Sequence, residues 1–136
     1  MEQALIELVW QRAHARCEYC QLAQAQSLLT FEIDHVIARK HGGATVPENL
    51  CLACFYCNSF KGPNIASIDP QTGKLVQLFH PRRHHWKRCF QWTGPLLVGR
   101  TPIGRATIQV LCINNPQALI LRQSLIDEDV FPPTPS

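Results

Sequence analysis

Two cysteine pairs of one form, Cys17-x-x-Cys20 and Cys54-x-x-Cys57, constrain this chain more than any other feature. Two thiolates separated by two residues can face a single ion from a tight turn. Two such pairs far apart in sequence make a four-sulfur set, so the fold has to bring residues 17–20 against residues 54–57. Redox chemistry is the competing use of such a pair, and it needs an exposed cysteine of low pKa. The matched second pair favours zinc held for structure. A site closed by four cysteines leaves no open coordination position and does no Lewis-acid chemistry. It clamps, and such binding contributes about 10 kcal/mol or more to folding in small sites. Cys51 has the same spacing to Cys54, but it falls in a strand-like run and suits the core better than the metal. Cys89 and Cys112 have no cysteine neighbours and are expected to be small buried hydrophobes.

A chain of 136 residues makes one domain, 1–136, whose modest core gains from such a staple. Apolar content of 46% with 17% charge belongs to a folded globular protein, which excludes a disordered tail or linker. The net charge of +3 is a weak pointer to nucleic acid. Glu2, Glu7 and Arg12 interrupt the first fifteen residues, no cleavage pattern follows, and no apolar run is long enough to span a membrane. A cytoplasmic location is therefore expected, where a disulfide framework is disfavoured.

The pattern along the chain predicts an α+β fold. Residues 2–15 read as a helix burying Leu5, Leu8, Val9 and Ala13, with Ile6 and Trp10 widening the stripe and His14 at the surface. Leu28 to His35 reads as a strand, Leu50 to Ala53 as a second, and Phe55 to Lys61 as a helix stopped by Gly62-Pro63. A hairpin over Ile65–Phe79 turns at Asp69–Gly73. Phe90–Trp92 and Leu96–Val98 suggest two more short strands. Thr101-Pro102 and Asn115-Pro116 each open a helix, the first running to about Cys112 and the second to about Asp127. The tail from Phe131 to Ser136 is expected to fray.

Between the cysteine pairs lies a set of groups suited to hydrolysis. Asp34 is an oxygen ligand for magnesium or manganese, and Asn58 can offer a neutral oxygen to the same ion. His35 can take a proton from water. Asn49 can fix the loop and the ring orientation by amide hydrogen bonds. Strict alternation along a strand sends Asp34 and His35 to opposite faces, so both reach one site only where the strand ends or bends. An Asp-His pair at a strand end is also a common surface turn. The segment from His80 to Arg88 is the most basic in the chain and encloses Trp86. It can follow a phosphate backbone with Trp86 stacking, or form a solvated face with Trp86 in the core. Arg39, Lys40 and Lys61 flank the proposed site and can add phosphate contacts.

The combined pattern Cys17-x-x-Cys20, Asp34-His35, Gly42-Gly43, Asn49-Leu50, Cys54-x-x-Cys57-Asn58-x-x-Lys61 resembles the HNH endonuclease family, of the ββα-metal fold. More loosely, Leu78-Phe79-His80-Pro81-Arg82, Trp86, Phe90-Gln91-Trp92 and Thr101-Pro102-Ile103-Gly104-Arg105-Ala106 resemble its bacterial branch with a C-terminal extension. The resemblance implies a ββα-metal core over 17–62, stapled by zinc on Cys17, Cys20, Cys54 and Cys57, and an extension over 63–130. It implies a catalytic magnesium or manganese ion on Asp34 and Asn58, His35 as the base, and Asn49 holding the loop and orienting His35. The implied activity is hydrolysis of DNA phosphodiester bonds, usually in duplex, with Arg39, Lys40, Lys61, Arg82, Arg83, Lys87 and Arg88 as candidate contacts to the nucleic acid. The alternative is a zinc-stabilised nucleic-acid-binding module that cuts nothing. Asn58 stands where the family name implies a final histidine, and Cys89 where the bacterial branch often has one.

Overall fold

The computed structural model describes residues 1–134. Helix α1, Gln3–Arg12, buries Val9 completely, with Ala13 just beyond it. Leu5, Ile6 and Trp10 are partly covered, whereas Leu8 is 41% exposed. The buried stripe is therefore rotated from the expected one, because Val9 and Ala13 set its axis and Leu8 falls outside it. His14 and Ala15 then adopt positive φ and swing the chain into a knuckle. There the Cys17 N–H donates to Leu22 O at 2.8 Å and the Gln21 N–H to Cys17 O at 2.9 Å.

Strand β1, Glu32–His35, runs antiparallel to β2, Leu50–Ala53, with Glu32 opposite Ala53 and His35 opposite Leu50. The strand expected from Leu28 is shortened by a side chain. Gln24 accepts from the Phe31 N–H at 2.8 Å and donates to Leu29 O at 3.0 Å, holding backbone groups a ladder would otherwise use. Leu28 is left fully exposed. All of β2 is buried. Helix α2, Phe55–Lys61, follows at once, and Gly62 ends it. The strand–loop–strand–helix order read from the sequence is the order found.

In the extension, β3 (Ala66–Ile68) and β4 (Leu75–Gln77) form one hairpin, and β5 (Phe90–Thr93) and β6 (Leu96–Gly99) another. A one-turn helix α3, Trp86–Cys89, which the sequence reading missed, leads into β5. Helix α4, Pro102–Val110, is capped by Thr101, and α5, Pro116–Asp127, by Asn115. Asp69 at the first hairpin is fully buried and accepts both Arg105 Nε and Nη2, at 2.9 and 3.0 Å, which pins the hairpin to α4. Phe79 and Phe90 join the core through rings 5.1 Å apart, and Phe79 packs edge-on against Tyr19 at 6.3 Å, which ties the extension to the knuckle. Two expectations are corrected. Cys112 is exposed, because the chain turns through positive φ just past the end of α4; Cys89 is buried. The tail is anchored at its start, since Phe131 is buried against Trp92. Residues 135–136 lie outside the described residues. Among the described residues no helix is long and apolar enough to cross a membrane.

Candidate active site and metal centre

The knuckle and the N-terminus of α2 bring Cys17, Cys20, Cys54 and Cys57 together, all buried, with their sulfurs within 4.8 Å of one another. A tetrahedron with zinc–sulfur arms of about 2.3 Å has edges of about 3.8 Å. The Cys20 and Cys54 sulfurs are 3.8 Å apart, the length of one such edge. The N–H groups of Cys20 and Cys57 lie at 3.5 and 3.4 Å from the sulfurs of Cys17 and Cys54. Such crowding sets the sulfurs against each other. Hydrogen bonds from Cys17 and Cys20 hold the Cys54 thiol far below its ordinary range, while Cys20 and Cys57 are pushed well above theirs, first by Cys17. A divalent ion removes that competition by taking every sulfur as thiolate. Cys51 is not part of the set. Its sulfur lies 3.5 Å from Tyr19 Oη and 3.7 Å from Asp34.

Asp34 is only 6% exposed and is held on two sides. Tyr19, buried inside the first cysteine pair, donates its hydroxyl to Oδ2 at 2.8 Å. Lys61, on α2 and also buried, places Nζ 3.1 Å from Oδ2 and 3.2 Å from Oδ1, and donates to His35 O at 3.3 Å. Burial pushes the Asp34 carboxyl up, against the pull of Lys61 first and then Tyr19. Burial likewise pushes Tyr19 well up, so it stays a hydroxyl donor. Sequence reasoning missed Tyr19. The available signal was its place between Cys17 and Cys20, which fixes it wherever the knuckle docks.

The strand β1 ends at His35, and the side chains of Asp34 and His35 take different partners. Asp34 turns toward α2, while the half-buried His35 ring reaches the following loop, with Nε2 2.8 Å from Thr45 Oγ1. Asn49 fixes that loop. It accepts from the Ile37 N–H at 2.8 Å and donates to Ile37 O at 3.0 Å and Ala44 O at 2.9 Å. A Cβ at Gly43 would lie 1.7 Å from Ile37 O, so only glycine lets the loop close this tightly. The Asn49 amide is thus used on backbone, and it bears on His35 through Ala44 and its neighbour Thr45. Asn58 is half-buried on α2, three residues before Lys61 and on the same helix face.

The basic residues divide. Arg39, Lys40, Arg83, Lys87 and Arg88 are exposed. The expectation that Lys61 and Arg82 offer free charge is corrected. Lys61 is 1% exposed on Asp34, and Arg82 is paired with Glu18 while burial lowers its guanidinium to about 10. Trp86 belongs to the core, donating Nε1–H to Tyr19 O at 2.8 Å and packing on Phe90 and Trp92.

Residues 17–64 match the model of the family described as HNH endonuclease. No curated protein and no solved structure matches the chain. The matched segment takes in the knuckle, both strands of the ββα unit, the Asn49 loop and α2, and it supports a nuclease or nucleic-acid-binding role.

Proposed function

With an HNH domain at residues 17–64 as the premise, we propose that the chain is a metal-dependent endonuclease that hydrolyses DNA phosphodiester bonds. His35 acts as the general base. In the tautomer that serves as base, Nε2–H donates to Thr45 Oγ1, 2.8 Å away, and Nδ1 accepts the proton of the attacking water. Asp34 and Asn58 are hard oxygen donors of the kind that suit magnesium or manganese. The ammonium of Lys61 already marks the Asp34 carboxylate as a place for a cation, so a divalent ion there competes with it. When bound, such an ion stabilises charge on the phosphate and the departing oxygen. Asn49 keeps the His35 loop in register. Arg39, Lys40, Arg83, Lys87 and Arg88 hold a duplex backbone without reading its sequence. Zinc on the four cysteines has a structural role alone.

The observation that carries this reading is a half-exposed imidazole at a strand end, next in sequence to a buried carboxylate and bonded to Thr45 on a loop that a single asparagine closes. Plasmid relaxation with magnesium tests it. His35→Ala is expected to cut about 10²–10⁴-fold more slowly than wild type, with duplex binding retained. Equal cutting by both removes His35 from the mechanism. The second reading, a zinc-stabilised binding module, is favoured by Lys61, whose ammonium already satisfies Asp34. It predicts binding by both proteins and cutting by neither.

A further inference from the structure

Arg122 lies on α5, far along the chain from either cysteine pair, and is 4% exposed. Its hydrogen-bond partners are neutral. Nε donates to Pro95 O at 2.7 Å, and Nη2 to Ile113 O at 3.0 Å and Asn114 Oδ1 at 3.1 Å. The Trp92 ring lies 5.1 Å from the guanidinium carbon. Among the described residues no carboxylate forms an ion pair with it. An ionised guanidinium held this deep without an opposite charge is destabilising. One source of negative charge borders the same cavity as Arg122. Arg122 lines a cavity of about 640 Å³ together with Cys20, Cys54 and Cys57, and no acidic residue lines it. A zinc ion on four thiolates carries a net charge of about −2, which is itself expensive to bury. Burial pulls the Arg122 guanidinium down from its ordinary range, and charge on those three sulfurs opposes that pull.

We infer that Arg122 is the counter-cation of the loaded four-cysteine site, so that the C-terminal extension completes the electrostatics of a metal centre whose ligands all lie in the HNH segment. It is a positioning residue that acts through charge and makes no bond to the metal. The inference rests on the zinc reading of the four cysteines.

The full chain loaded with zinc or cobalt tests it. Zinc affinity is measured by chelator competition, and the cobalt–thiolate absorption is followed as pH falls. Arg122→Met is expected to bind zinc about 10–100-fold more weakly, the range for a lost outer partner of a ligand, and to lose the cobalt band at higher pH. Arg122→Lys, which can carry the charge without the planar hydrogen bonds, should bind zinc more tightly than Arg122→Met. Leu125→Ala, a buried change on the same helix, controls for loss of packing and should leave zinc affinity in place. A Met variant with wild-type affinity overturns the proposal. So does a Lys variant as weak as the Met variant, and if Met fails to fold, a tenfold loss in Lys decides against it alone. A wild-type protein with neither zinc nor a cobalt–thiolate band removes the zinc reading and this inference together.

Discussion

Lys61 and Asp34 are buried against one another, and each satisfies a charge that the interior would otherwise leave bare. Removing one partner of such a pair typically costs about 3–5 kcal/mol. Lys61→Met is expected to lower the melting temperature and push the Asp34 carboxyl further up, since its main opposing charge is gone. A divalent ion on Asp34 restores that charge, so manganese should raise the melting temperature of Lys61→Met more than that of wild type. Equal shifts in calorimetry contradict a metal on Asp34. His80 gives a second test. It is buried, and burial first, then Arg83 and His84, lowers its imidazole to about 4. The unfolded imidazole titrates near 6.5, so between the two values the unfolded chain binds the extra proton. The stability from a neutral His80 is present above about pH 6.5 and lost as pH falls toward 4, at up to about 1.4 kcal/mol per pH unit. His80→Gln should flatten that part of the stability curve measured by urea unfolding, and an unchanged slope contradicts it. The sequence placed Asn58 and Lys61 on one short helix, but it carried no sign of which way either side chain points. Lys61 was therefore legible as a basic residue and not as the partner of Asp34.

At the scale of elements, Cys54 serves both the sulfur set and the start of α2, where its sulfur accepts from the Cys57 N–H. The clamp and the helix that carries Asn58 and Lys61 thus begin at the same residue. Cys54→Ser is expected to lose zinc and soluble fold together, read by metal analysis and circular dichroism. Full zinc occupancy in a folded variant contradicts the ligand set. The bounds of β2 and α2 were legible because Leu50–Ala53 is apolar throughout and Gly62-Pro63 closes the helix. The start of β1 was not, because the Gln24 side chain competes with the ladder from a distance in sequence that periodicity does not register. Helix α3 was hidden for another reason: one turn of Trp86–Cys89 is too short to show a repeat.

Across the whole molecule, the ββα unit and the extension share one core. Trp86 bonds the knuckle at Tyr19 O, Trp92 donates to Gln21 Oε1 at 2.8 Å, and Phe79 packs on Tyr19. The knuckle therefore supports Asp34 from inside and receives the extension from outside. This division was only partly readable, since paired cysteines announce a clamp whereas the aromatic contacts depend on how hairpins pack. The central claim is that His35 is the base. The most direct test is single-turnover cutting of a duplex by His35→Gly, with and without added imidazole. Cutting is expected to fall about 10²–10⁴-fold and to recover, saturably, as the imidazole free base is added. A variant that cuts as fast as wild type without imidazole contradicts the account.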